Sequence, residues 1–181
     1  MSAGTDAANS DCTGQLAGLL GKHMIYAYEN GWKYELYVRN ADTVATRCLL
    51  GPMFGRWTTN QTAKIVSLGG AGTDPDEQYK LAWVEPTGST MVAIVWPGER
   101  RVHTTATFPQ WMLDYPESTL THYEDNLHAI RADRDRGPTY PLTLVSSNGR
   151  ITYLESRDPD DDTVIDCPPS KLPVGYADRM N

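Results

Sequence analysis

The sequence predicts a mainly β fold, and three observations support that prediction. Short segments rich in Val, Ile, Thr, Tyr and Trp recur along the middle of the chain, many with alternating polar and apolar residues. Turn residues separate them, as at Asn30-Gly31 and Pro97-Gly98. No linker between consecutive segments is long enough for a crossover helix, so the sheet should be antiparallel. Such regular spacing is typical of a sandwich or a barrel.

The predicted strands are, in chain order, HMIYAY (23–28), KYELYVRN (33–40), TVATRCLL (43–50), GRWTT (55–59), AKIVSL (63–68), YKLAWVE (79–85), TMVAIVW (90–96), ERRVHTTATF (99–108) and GRITYLES (149–156). The stretch EDNLHAIRADRDRG predicts a helix, with Asp125 or Asn126 as its N-cap and a closing glycine. A shorter helical turn is expected to begin at Pro109. The end of the chain is expected to be irregular, apart from one strand near Val164.

Composition limits the classes of function. The 181 residues fit one domain, and 16 basic against 23 acidic residues give a net charge of −7, which argues against a nucleic-acid-binding surface. The one cluster of arginines, Arg131, Arg134 and Arg136, alternates with Asp133 and Asp135, a pattern typical of a solvated helix face.

Cysteine content and the start of the chain indicate a cytoplasmic protein. Cys12, Cys48 and Cys167 are odd in number and widely spaced, so neither a disulfide framework nor a zinc site is expected. The four histidines also lack metal-ligand spacing, and no metal site is predicted. The apolar stretch Leu16–Leu20 is too short for a signal peptide or a membrane span.

The first hairpin, around Asn30-Gly31, has two plausible registers. A two-residue loop would put Tyr34 on the opposite sheet face from Tyr26 and Tyr28. A three-residue loop ending at a left-handed Gly31 pairs Tyr26 with Tyr34 and places all three phenols on one face. We prefer this second register, because the other face is then half charged and suited to solvent: Ile25, Ala27, Lys33, Glu35, Tyr37 and Arg39.

Three inward-facing phenols need hydrogen-bond partners, since a buried hydroxyl without one costs free energy. A barrel of about eight strands has room for one small molecule, which could supply those partners. The alternative is that the tyrosines only pack, with their hydroxyls at the rim of the barrel. This stretch alone does not decide between the two.

Glu85 and Arg56 are the charged residues that stand out among the apolar strands. Leu81, Trp83 and Glu85 alternate on one strand face, and desolvation there would raise the pKa of the Glu85 carboxyl, as a general acid requires. The alternative is a glutamate at the strand end that reaches water past Pro86. Arg56 could pair with Glu85 or hold an anionic ligand.

Together these stretches resemble the bacterial phenolic acid decarboxylase family. The matching pieces are GKHMIYAYENGWKYELYVRN, GPMFGRW, WVEPTG and PGERRVHTTATFPQWM, in that order. The resemblance implies a flattened, lipocalin-like antiparallel barrel, a homodimer, and no cofactor. The resemblance covers residues 21–169, which are expected to form a single decarboxylase domain. Residues 1–20 are expected to be a flexible extension and residues 170–181 a C-terminal tail.

The family resemblance also assigns roles to residues. It implies that Glu85 is the catalytic acid, with Arg56, Tyr26 and Tyr28 as its catalytic partners. It implies a substrate pocket formed by Tyr34, Trp83, Val44, Cys48, Met91 and Ala106. The longer N-terminal extension and an insertion around GGAGTDPDEQ depart from the family pattern.

The implied reaction is non-oxidative conversion of 4-hydroxycinnamic acids, such as p-coumaric, ferulic and caffeic acid, to 4-vinylphenols and carbon dioxide. Glu85 would protonate the alkene carbon beside the carboxylate while the para hydroxyl loses its proton, giving a quinone methide that then releases carbon dioxide. Which substrate end Tyr26 and Tyr28 hold stays open, with the phenolate preferred. Two other functions remain possible: a lipocalin-like binding protein for small aromatic acids, and a structural sheet protein whose tyrosines only pack.

Overall fold

The computed structural model describes residues 14–69 and 77–181, and its nine strands form one antiparallel sheet. Its strands are β1 (Lys22–Tyr28), β2 (Lys33–Val38), β3 (Thr43–Leu50), β4 (Trp57–Thr62), β5 (Lys64–Ser67), β6 (Tyr79–Val84), β7 (Thr90–Trp96), β8 (Arg101–Phe108) and β9 (Thr143–Ser156). They are hydrogen-bonded in the order β4-β3-β2-β1-β9-β8-β7-β6-β5.

The sheet curls into a nearly closed barrel. β4 and β5 stand at opposite ends of the hydrogen-bonded order, yet only Ala63 separates them in the chain. The two ends of the sheet must therefore meet, as in a barrel. This confirms the predicted lipocalin-like antiparallel barrel and its all-β class.

The core lies inside the barrel and follows the alternation of the strands. In β6, for example, Tyr79, Leu81 and Trp83 are buried while the residues between them are more exposed. Leu16 and Leu19 also lie in this core, so this part of the expected N-terminal extension packs with the barrel. Residues 1–13, and residues 70–76 of the GGAGTDPDEQ insertion, lie outside the described residues.

The first hairpin has the predicted three-residue register. Tyr26 pairs with Tyr34 and Met24 with Leu36. The amide of Gly31 donates to the carbonyl of Tyr28, and Gly31 has a left-handed φ of 85°. Because side chains alternate along a strand, this register directs the three phenols to the inside.

The prediction that the opposite face of this hairpin meets solvent is wrong. Ile25, Glu35, Tyr37 and Arg39 are buried there. The chain after β9 covers them: the Tyr37 hydroxyl donates to the carbonyl of Asp158 at 2.5 Å. The charged groups on this face are therefore paired with the C-terminal segment instead of with water.

Glu35 is the centre of these contacts. It accepts hydrogen bonds from Arg47 Nε at 2.6 Å and from the Tyr176 hydroxyl at 2.7 Å, and it lies 2.6 Å from His23 Nε2. Burial alone would raise the pKa of Glu35, but the hydrogen bonds from His23 and Arg47 hold it below its usual value. A buried carboxylate thus attaches the end of the chain to the barrel.

Two α-helices of the described residues lie between β8 and β9: α1 (Gln110–Asp114) begins after Pro109, as predicted, and α2 spans Tyr123–Arg136. The predicted cap at Asp125 or Asn126 is wrong, because His122 precedes the first turn and no side chain caps it. Short 3-10 turns follow α1 and occur near the C-terminus, at Pro116–Thr119, Pro169–Lys171 and Tyr176–Asp178. No helix in the described ranges has the length and apolarity needed to cross a membrane.

Two further predictions need correction. Val164 lies in a bend, so the strand expected there does not form. β9 starts at Thr143, earlier than the predicted residue 149, since Ser146, Ser147 and Asn148 pair with β8 in spite of their turn-like character.

Candidate active site

A group of three tyrosines forms one wall of a cavity inside the barrel. The ring centroids of Tyr26 and Tyr28 lie 5.4 Å apart and those of Tyr28 and Tyr34 lie 5.7 Å apart, both edge to face. Burial raises the pKa of each phenol above its usual value. All three hydroxyls therefore keep their protons near neutrality and can donate hydrogen bonds.

The cavity has a volume of about 50 Å³. Of the residues named from sequence, it is lined by Tyr26, Tyr28, Tyr34, Arg56, Trp83, Met91 and Ala106. Val44 and Cys48 are buried on the same strand but are not among its lining residues. Lining residues that the sequence reasoning missed are Trp32, Thr46, Thr104, Phe108, Val145 and Ser147.

Local backbone geometry brings Arg56 into the barrel just before β4. Gly55 has a φ of 106°, and a Cβ there would lie 2.9 Å from the carbonyl oxygen of Leu120, so glycine fits this position where a side chain would not. The carbonyl of Arg56 then accepts from the amide of Cys48 on β3 at 2.9 Å. The arginine side chain is left buried at the cavity wall.

Glu85 comes from the turn that follows β6. Its amide donates to the carbonyl of Ser89, and its own carbonyl accepts from the amide of Gly88, which closes a tight turn around Pro86. The side chain of Glu85 is fully buried, so it does not reach water past the proline. It is not itself among the lining residues of the cavity and contacts that wall through Arg56.

Arg56 and Glu85 form a buried ion pair. Arg56 Nη2 lies 3.3 Å from Glu85 Oε1, and Nη1 lies 3.4 Å from Oε2. Burial alone would lower the pKa of the Arg56 guanidinium, but the Glu85 carboxylate raises it above its usual value. The sequence left open whether Arg56 pairs with Glu85 or holds a ligand; it pairs with Glu85 and also lines the cavity.

Four buried polar atoms at or beside the cavity have no hydrogen-bond partner within residues 14–69 and 77–181. They are Oε1 of Glu85, the hydroxyls of Thr46 and Thr104, and Nε1 of Trp83. Buried polar groups are rarely left without partners unless a ligand or water supplies them. Alternation along β3 and β8 could have identified both threonines, since each lies two residues from an inward apolar position.

Tyr123, the first residue of α2, also contacts Glu85. Its fully buried hydroxyl donates to Oε2 of Glu85 at 3.4 Å. Its ring lies 5.9 Å from the Arg56 guanidinium. No signal in the sequence pointed to this residue, because the contact joins a helix to a strand end 38 residues earlier.

In the part of the chain that the structure describes, no three His, Cys, Asp or Glu side chains are grouped as a metal site. The polar groups that face the cavity are instead phenols, threonine hydroxyls and one guanidinium.

A barrel of this kind, with a small cavity lined by phenols and a buried acid–arginine pair beside it, has the features of a small-molecule site. The family model for phenolic acid decarboxylase matches residues 16–179. The chain therefore belongs to the phenolic acid decarboxylase family, whose members are carboxy-lyases.

Two curated relatives agree with this assignment. A protein of Vibrio cholerae named probable phenolic acid decarboxylase is 38% identical over 161 residues, which covers 89% of this chain and 89% of that protein. The phenolic acid decarboxylase PadC of Bacillus subtilis is 35% identical over 166 residues, covering 91% of this chain and 97% of that protein.

Proposed function

We propose that this decarboxylase converts 4-hydroxycinnamic acids, including p-coumaric, ferulic and caffeic acid, to 4-vinylphenols and carbon dioxide without a cofactor. One observation carries the proposal: the Glu85 carboxyl is fully buried beside a phenol-lined cavity and is linked to the cavity wall through Arg56, whose Nη2 lies 3.3 Å from Oε1. A carboxyl in that position can hold a proton and deliver it to a substrate carbon.

The substrate supplies its own electron sink. Glu85 gives its proton to the alkene carbon beside the carboxylate, so an O–H bond breaks and a C–H bond forms. The para hydroxyl gives its proton to solvent water, and electrons move from the ring oxygen to give a quinone methide. The bond to the carboxylate then breaks, carbon dioxide leaves, and its electron pair forms the vinyl group and restores the ring as a phenolate, which takes a proton from solvent to give the 4-vinylphenol.

Arg56 would control the charge on Glu85. When the substrate carboxylate approaches Arg56, a second negative charge competes for the same guanidinium, which favours uptake of a proton by Glu85. Because Arg56 is already shared with Glu85, its grip on the substrate carboxylate stays moderate. A stronger grip would stabilise the ground state and slow carbon dioxide release.

The tyrosines would bind the other end of the substrate. Tyr26 and Tyr28 are protonated donors, and a phenol donating to a developing phenolate stabilises the quinone methide. The free hydroxyls of Thr46 and Thr104 would hold a second ring oxygen, as in caffeic acid. A Thr104→Val variant should lower the rate with caffeic acid more than that with p-coumaric acid, and equal losses would remove this role.

We also propose that the protein is a homodimer that uses the outer face of β6 to β9. The strand registers align Val84, Thr90, Thr107 and Leu144 in one row across this face. Val84 is 63% exposed and Leu144 is 67% exposed, and apolar side chains grouped on a surface often mark an interface.

Mixing the protein with p-coumarate and following ultraviolet absorbance tests the proposed activity. Loss of the cinnamate band with formation of 4-vinylphenol supports the decarboxylase. A shifted band that persists would instead support a binding protein for small aromatic acids, and an unchanged spectrum would support tyrosines that only pack.

A further inference from the structure

The first residues of α2 are attached firmly to β4. The amide of Trp57 donates to the carbonyl of Thr121 at 3.1 Å, and the ring of Trp57 stacks on His122 with centroids 3.9 Å apart. Glu124 Oε1 accepts from the amide of Thr59 at 2.7 Å and also from the next amide along the strand. The residue between His122 and Glu124 is therefore held in a fixed position.

That residue is Tyr123, and its ring packs in a second apolar cluster with Trp111, Met112 and Ile130. Its hydroxyl points out of this cluster toward Oε2 of Glu85. Burial raises the pKa of the Tyr123 phenol well above its usual value, and the nearby Glu85 carboxylate raises it further. The hydroxyl therefore stays a donor throughout the pH range of an ordinary assay.

We propose that Tyr123 is a positioning residue for the decarboxylation, which acts through Glu85 and determines which carboxyl oxygen delivers the proton. The inference rests on the proposed role of Glu85 as general acid. Oε2 accepts from both the Tyr123 hydroxyl and Arg56 Nη1, whereas Oε1 faces only Arg56 Nη2, at 3.3 Å. Because Oε2 has one donor more than Oε1, a neutral carboxyl held in this way carries its proton on Oε1.

The hydrogen bond from Tyr123 to Glu85 also lowers the activation barrier of the proton transfer to the substrate. When the Oε1–H bond breaks and the new C–H bond forms, negative charge returns to the carboxyl group. Hydrogen bonds to a charged acceptor are stronger than those to a neutral one, so Tyr123 and Arg56 stabilise the transition state more than the resting acid. Water then restores the proton before the next turnover.

A Tyr123→Phe variant tests this role, because it removes the hydroxyl and keeps the ring in its cluster. We expect kcat to fall about tenfold, the typical worth of a hydrogen bond to a charged group at modest geometry, with KM changed less than about twofold.

Tyr115→Phe is the matched control. Tyr115 packs against the same cluster but does not contact Glu85, so its variant should keep the wild-type kcat. A Tyr123→His variant retains a ring with an N–H donor. Its log kcat should lie at least halfway from that of the Phe variant to that of the wild type. It also serves as the test if Tyr123→Phe does not fold.

The outcomes separate this inference from the proposed function. If Glu85→Gln is inactive but Tyr123→Phe keeps the wild-type kcat, Tyr123 has no positioning role and the acid role stands. A Tyr123→His variant as slow as the Phe variant, or a Tyr115→Phe variant with the same losses, would also overturn the inference. If Glu85→Gln keeps normal turnover, the acid role itself fails.

Discussion

Arg56 and Glu85 face each other across the barrel wall, with N–O separations of 3.3 and 3.4 Å and both side chains buried. Arg56 precedes β4 and Glu85 follows β6. The pair therefore joins two strands that are not hydrogen-bonded neighbours in the sheet. We expect both the chemistry and the stability of the protein to depend on this contact.

Glu85→Gln should remove most of the activity. The amide cannot supply a proton, so kcat should fall by about 10²–10⁴-fold, the usual contribution of a general acid. Product formation from p-coumarate measures it, with the exposed Glu99→Gln as the control. Turnover within a factor of a few of wild type would contradict the acid role.

Arg56→Met should destabilise the protein by about 3–5 kcal/mol, because Glu85 is left as a buried charge without its partner. The double variant Arg56→Met/Glu85→Gln removes both charges and should recover most of that loss. Urea unfolding of the wild type, of the two single variants Arg56→Met and Glu85→Gln, and of the double variant measures the coupling between the two side chains. If the losses from the two single variants simply add, the pair contributes no mutual stabilisation.

Cinnamic acid without the para hydroxyl should bind and remain unchanged. It has no para hydroxyl that could lose a proton to form the quinone methide, so no styrene should form. Chromatography of long incubations, beside a matched p-coumarate reaction, gives the measurement. Styrene released at a rate comparable to that of 4-vinylphenol would rule out the quinone methide.

Stability should fall in acid through Glu35. Its pKa is depressed in the folded state, so its stabilising contribution is complete above the unfolded value near 4.5 and is lost as pH falls through the lower folded value. We expect Tm to drop below about pH 4.5 as the contact with Tyr176 weakens. The Glu35→Gln variant should have a lower Tm than the wild type at neutral pH, and its Tm should fall less steeply below about pH 4.5. A fall in Tm as steep as that of the wild type would contradict this account.

Leu144→Lys should separate a dimer that uses the outer face of β6 to β9. A lysine in that row would bring an unpaired charge into the interface, which costs several kcal/mol. Sedimentation of the variant should give a monomer, whereas Val174→Lys, exposed in the C-terminal segment, should leave assembly unchanged. Monomeric wild-type protein would remove the proposal.

The parts of the structure that the sequence predicted are those set by local rules. The hairpin register follows from a glycine at the last position of a three-residue loop, and the inward Trp83 and Glu85 follow from strand alternation. The wrong prediction for the outer face, where Glu35 and Tyr37 lie, has a different cause. The C-terminal groups that cover them, Tyr176 and Asp158, stand more than 120 residues later, and local patterns carry no information on such contacts.

The residues of the candidate site also divide into those that local sequence patterns predicted and those that they did not. Arg56 and Glu85 stood out because charged residues are unusual among apolar strands. Tyr123 belongs to a polar-looking helical segment, and its burial depends on how that helix docks on β4. Val44 and Cys48 were assigned to the pocket by resemblance alone, and small changes of side-chain direction around a barrel decide which inward residues reach the cavity.

The one-residue link at Ala63 leaves a seam in the barrel. β4 and β5 meet there without a shared backbone ladder in the part of the chain that the structure describes, so parting them breaks none of the sheet's hydrogen bonds. The ion pair between Arg56, before β4, and Glu85, after β6, lies across this seam, so the two groups proposed for the chemistry also hold its two sides together.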